Sequence, residues 1–71
     1  MLNNLLKRIR CYKGYKQYEM ADKVGISRQS YNYKENNKMQ FTPEEIIKIS
    51  RELNLTLEEV DEIFFDGKLS N

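Results

Sequence analysis

Residues 17–38, QYEMADKVGISRQSYNYKENNK, constrain the fold more than any other stretch of this chain. They read as a short helix over 17–24, a turn at Gly25 and a second short helix over 27–35. Two helices that cross closely need a small residue at the contact and one that accepts positive φ at the turn. Ala21 and Gly25 meet those needs four residues apart. Met20, Val24, Ile26 and Tyr31 supply an apolar face that locks the pair together. Ser27 is an N-cap for the second of these helices, with Ser30 three residues on. Arg28, Gln29, Asn32 and Tyr33 fall on or near the opposite, solvent-facing side, where such side chains can read base edges in a major groove.

The flanking sequence extends the helical pattern. Leu2, Leu5, Leu6 and Ile9 follow i, i+3, i+4, i+7 spacing and predict a first helix over 2–13, ended by Gly14. Thr42, Pro43 and Glu45 form a start signal with a capping box for a fourth helix, closed near Asn54. Its apolar positions are Ile46, Ile49 and Leu53, with Ile47 beside them. Thr56 caps a fifth helix, with Glu58 and Glu59 in the first turn, where the helix dipole favours acids. Leu57, Val60 and Phe64 give its apolar stripe, with Ile63 adjacent. The acids at 58, 59, 61 and 62 read as a solvated face. The expected fold is therefore all-α: a compact five-helix domain over 1–65, with a loop or frayed tail over 66–71. Seventy-one residues allow one small domain, with a core near the lower limit for independent stability.

In order and spacing, the stretch AxxxGISRQSY, preceded by Gln17 and followed by Glu35, resembles the helix-turn-helix of the Cro/phage-repressor superfamily. LLKRIR at 5–10 and IIKISRELNLTLEEVDEIF at 46–64 extend the resemblance over roughly residues 4–65. The resemblance implies that helices 2 and 3 form the helix-turn-helix and that helix 3 enters the major groove of double-stranded DNA. It implies an ion pair between Arg10 and Glu35 that ties the first helix to the third. It also implies that Gln17 contacts a DNA phosphate and braces the recognition helix.

Three positions depart from the family pattern. Lys34 stands where a buried apolar residue is frequent, so its stem is expected to cover apolar surface while its ammonium reaches solvent. Asn37 replaces a frequent glycine, and asparagine is the next-best residue for a left-handed backbone. Lys16 stands where Ser or Thr often caps the second helix, so that cap is missing. Tyr15 is read as core, with its hydroxyl reaching solvent.

Charge agrees with a DNA-facing half. Residues 1–38 hold nine Lys/Arg against three acids, a net of +6, and residues 39–71 hold three against eight, a net of −5. The basic half contains the helix-turn-helix and is the expected phosphate-facing side. Arg28 can bond guanine O6 and N7, and Gln29 adenine N6 and N7. Asn32 lies one turn along, and Tyr33 can stack on a sugar or touch a thymine methyl. Lys7, Arg8, Gln17, Lys23, Asn36 and Lys38 are the expected backbone contacts. Ser30 is small enough to let DNA approach.

No pattern for catalysis is found. The chain has no histidine and one cysteine, Cys11. A lone helical cysteine is read as buried and structural. No cofactor or metal is expected, and no Gly-rich phosphate loop is present. No apolar run approaches the ~20 residues of a membrane span. The basic residues of MLNNLLKRIR follow its apolar ones, unlike a secretory signal, so a cytoplasmic location is expected. Phe65 follows Phe64, and one small core does not easily bury both, so the end of the fifth helix is the expected dimer interface. The expected function is a transcriptional repressor acting as a homodimer on a two-fold-symmetric operator. An antitoxin or anti-repressor working mainly through a protein partner is the alternative.

Overall fold

In the computed structural model, residues 4–68 are described, and they form five helices. These are α1 (Leu5–Tyr12), α2 (Gln17–Val24), α3 (Arg28–Glu35), α4 (Pro43–Glu52) and α5 (Leu57–Phe64). No strand occurs among the described residues. Leu2, expected to open the first helix, and the end of the tail lie outside them. Helix α2 packs chiefly against α3 and then α4, while α5 meets α1 and α4.

Local chemistry sets the helix ends. The Ser27 Oγ accepts from the Ser30 backbone N–H at 3.0 Å and starts α3. Thr42 and Glu45 exchange bonds at 2.9 and 3.2 Å at the head of α4, and Thr56 and Glu59 do so at 2.8 and 3.1 Å at the head of α5. At α2 only half of such a box exists. Glu19 Oε1 accepts from the Lys16 backbone N–H at 2.8 Å, but a lysine ammonium has no lone pair to return the bond. The turn between α2 and α3 requires Gly25, whose φ is +84°. Asn37 follows α3 with φ +64°, the left-handed geometry expected of it.

The core is Leu6, Met20, Ala21, Val24, Tyr31, Ile49 and Leu53. Ile26, Phe41, Leu55, Ile63 and Phe64 pack around it. The rings of Phe41 and Phe64 meet edge to face at 5.6 Å, and those of Phe41 and Tyr31 lie 5.9 Å apart. Phe41 therefore joins α3 to α5.

Several expectations are corrected. Leu57 is 78 % exposed, not core: it is the first residue of α5, and the buried stripe begins only after it. Asp61 is buried rather than solvated, so α5 turns one acid inward. Cys11 is exposed, because α1 points Leu6 and Arg10 inward and Cys11 away. The Tyr15 hydroxyl donates to Glu52 Oε2 at 2.9 Å. The Glu52 carboxylate, through that bond, holds the phenol above its ordinary pKa. Lys34 does not reach out to solvent. Its ammonium donates to both Glu45 oxygens, at 2.8 and 2.9 Å, with both side chains about nine-tenths buried. The carboxylate at the head of α4 is close enough to hold it inside.

Candidate nucleic-acid interface

Helix α3 starts at the αL turn of Gly25, which aims it across α2. Its inner face carries Tyr31 and Glu35, both buried. Glu35 is the polar centre of the domain. Arg10 grips it in a fork, Nε donating to Oε2 at 2.8 Å and Nη2 to Oε1 at 3.1 Å. Arg10 Nη1 donates to the Tyr15 carbonyl at 2.7 Å. The Tyr31 hydroxyl donates to Glu35 Oε2 at 2.8 Å. Gln17 Nε2 donates to Glu35 Oε1 at 3.0 Å, and Gln17 Oε1 accepts from Asn32 Nδ2 at 3.1 Å.

These contacts decide charge states. Burial alone pushes the Glu35 carboxyl up, but the bonds from Arg10, Gln17 and Tyr31 outweigh it and hold the group below the usual carboxylate range. Burial lowers the Arg10 guanidinium, and Glu35 more than restores it. Burial and the Glu35 charge push the Tyr31 phenol well above its ordinary value. No buried side-chain nitrogen or oxygen lacks a partner among the described residues.

The outer face of α3 differs. Arg28 and Gln29 are exposed in its first turn, and the Arg28 side chain makes no hydrogen bond or ion pair among the described residues. Gln29 Nε2 lies 3.3 Å from the Tyr33 hydroxyl, a long and exposed contact. Lys38 places its ammonium 5.8 Å from the centre of the Tyr33 ring. Gln29, Tyr33 and Lys38 thus adjoin on the exposed side of α3, and Arg28, at the start of the same ridge, borders a shallow groove shared with Glu19, Asp22 and Lys23 of α2. Asn32 lies half-buried between the two faces, joined to Gln17 rather than open on the ridge.

The other residues singled out by sequence are scattered around this ridge. Lys7 and Arg8 are exposed on α1. Lys23 is exposed on α2 and lies 3.9 Å from Glu52, so that acid competes for its charge. Ser30 is half-buried, and Asn36 Nδ2 donates to the Asn32 carbonyl at 2.8 Å, closing the end of α3. Phe64 is held against Phe41, while Phe65 is 38 % exposed.

Sequence reasoning missed two members of the polar framework. The Tyr31 hydroxyl was legible in principle, because Tyr31 and Glu35 stand one helical turn apart. The Lys34–Glu45 pair spans a loop and carries no local signal.

The outer ridge suits a polyanion with hydrogen-bonding edges. Its groups are two cations, an amide and a phenol, and the acids that border it, Glu19 and Asp22, belong to α2 beside Arg28. Among the described residues there is no cluster of His, Cys, Asp and Glu fit to hold a metal, and no helix long and apolar enough to cross a membrane. A family model described as helix-turn-helix matches residues 6–60, which covers all of α1 to α4 but Leu5, and the first turn of α5. No curated protein matches the chain closely enough to count as a relative. With that match lying over a braced α2–α3 pair and an open α3 ridge, the chain belongs to the Cro/C1-type helix-turn-helix family of DNA-binding transcription regulators.

Proposed function

We propose that the protein is a repressor that binds a two-fold-symmetric operator as a homodimer, with α3 in the major groove. The observation that carries this reading is the uncommitted outer ridge of α3, set beside an inner face whose polar groups are all bonded. Arg28 and Gln29 lie in the first turn, the part of a recognition helix that meets base edges first. Arg28 reads guanine, Gln29 reads adenine, and Tyr33 touches a sugar or a thymine methyl. Lys7, Arg8, Gln17, Lys23, Asn36 and Lys38 hold the phosphates, and Ser30 leaves room for the strand.

Dimerisation at the end of α5 is supported by a groove of about 760 Å³ that includes Met39, Phe41, Ile47, Phe64 and Phe65. Met39, Ile47 and Phe65 are exposed in it, a grouping that favours burial against another chain. In a dimer, paired α3 helices enter successive major grooves, which sets the half-sites about one helical turn apart. The domain then represses by occupying its site.

Selection from random duplex DNA, followed by salt titration on the selected sequence, tests the reading. The expected outcome is a palindromic consensus bound with steep salt dependence. Weak binding with no sequence preference overturns it and leaves the same groove as a surface for a protein partner, the antitoxin or anti-repressor reading.

A further inference from the structure

Gln17 sits at the N-terminus of α2 with both ends of its amide engaged. The direction of each bond follows from chemistry. An ionised carboxylate only accepts, so the Gln17 atom 3.0 Å from Glu35 Oε1 is the nitrogen. The oxygen then faces Asn32, which presents its own nitrogen at 3.1 Å. Glu35 cannot shift to suit Gln17, because Arg10 and Tyr31 hold both of its oxygens. The Gln17 amide is therefore pinned in one rotation, with Nε2 using one of its two hydrogens on Glu35. What remains at that nitrogen is a single donor.

We infer that Asn32 is a positioning residue, which acts on DNA through Gln17 rather than by reading a base. The inference rests on the proposal that α3 enters the major groove and that Gln17 meets a phosphate. Glu35 sets which end of the Gln17 amide is the nitrogen. Asn32, by holding the oxygen, fixes the torsion of the amide and keeps that oxygen off the DNA side, so the second N–H is left to face it. A phosphate oxygen accepts, so an amide presented nitrogen-first attracts it, and one presented oxygen-first repels it. Asn32 belongs to the recognition helix and Gln17 to its neighbour. Their bond makes the phosphate contact depend on the seating of α3, so register on the backbone and entry into the groove are set together.

The test is a double-variant cycle with the full chain and its selected duplex, read by fluorescence anisotropy. The variants are Asn32→Ala, Gln17→Ala and the two combined. Alanine is the best helix former, so the change at position 32 leaves α3 folded, and thermal melts verify this. Each single variant is expected to bind roughly tenfold more weakly, as for loss of one hydrogen bond to a charged group. The combined variant is expected to bind no more weakly than Gln17→Ala alone. The ranking of base-substituted duplexes and the salt slope stay as in the parent, because no base contact and no cation has been removed.

Three results overturn the inference: a relaxed preference at one base pair in Asn32→Ala, losses that multiply in the combined variant, or full affinity in Asn32→Ala. A parent protein that binds no duplex overturns the DNA proposal itself. That result is read before any variant is made, so the two failures stay distinct.

Discussion

Helix α3 carries polar side chains on two faces, and the faces differ in what those side chains touch. On the inner face, Glu35 accepts from Arg10, Gln17 and Tyr31, and Lys34 closes on Glu45. On the outer face, Arg28 bonds nothing among the described residues, and Gln29 has only the long contact to Tyr33. The same residue chemistry serves opposite ends. A buried polar group without a partner costs free energy, so the inner set is fully paired and fixes one geometry. An exposed polar group has water and no such constraint, so the outer set remains open to a ligand. One helix thus holds its position with one face and leaves the polar groups of the other exposed, the face proposed above to meet DNA.

The comparison breaks most severely at Arg10. Arg10→Met leaves the Glu35 carboxylate buried without its cation, and the expected loss is about 3–5 kcal/mol of folding stability. For a domain of this size that is a large part of the total, and urea unfolding measures it. Acid probes the same contact. An unfolded glutamate titrates near ~4.3, and the folded Glu35 lies below that. Its stabilising contribution is therefore complete above about pH 4.3 and is lost as pH falls through the folded value. The acid unfolding limb of the parent is expected to be shallower in Glu35→Gln; an unchanged limb assigns acid sensitivity to other carboxylates.

Tyr31→Phe is a finer break of the inner face. The ring stays in the core, and only the hydroxyl donor to Glu35 is lost. About 1–3 kcal/mol of stability should go with it, since the carboxylate keeps Arg10 and Gln17 but loses one bond in a dry site. A melt unchanged from the parent shows that the other donors absorb the loss.

Arg28→Ala tests the outer face and should separate binding from stability. Affinity for the selected duplex is expected to fall by about 1–3 kcal/mol, with preference relaxed at one base pair. Stability should change by less than ~0.5 kcal/mol, because the exposed Arg28 guanidinium makes no hydrogen bond or ion pair among the described residues. A substantial loss of stability removes the distinction between the two faces.

The sequence made much of this legible, and the reasons are local. The five helices follow from apolar spacing and from caps at Ser27, Thr42 and Thr56, where one or two residues carry the information. The groups on the outer ridge could be named because exposed residues at a helix start need no knowledge of packing. What sequence reading missed depends on tertiary neighbours. Lys34 was expected to send its ammonium outward, yet Glu45 eleven residues on takes it inside. Helical spacing places Asn32 with the outer residues but carries no signal for its bond to Gln17 of another helix. Leu57 and Asp61 exchanged their expected environments because α5 meets the core one turn later than its apolar pattern begins.

Tyr33→Phe is the smallest and sharpest version of the comparison, because it repeats the Tyr31 change two residues along the same helix. Both substitutions remove one hydroxyl. At position 33 the ring is 40 % exposed, its bond from Gln29 is long, and water replaces what is lost. The expected change in stability is within ~0.5 kcal/mol. The Lys38 ammonium also keeps its place over the phenylalanine ring, since that attraction uses the ring face and not the hydroxyl. Any effect on DNA should therefore be confined to the hydroxyl's own contact. If Tyr33→Phe and Tyr31→Phe cost the same stability, the partners of each hydroxyl, rather than its helix, do not set its value, and the division of α3 into a holding face and a reading face fails.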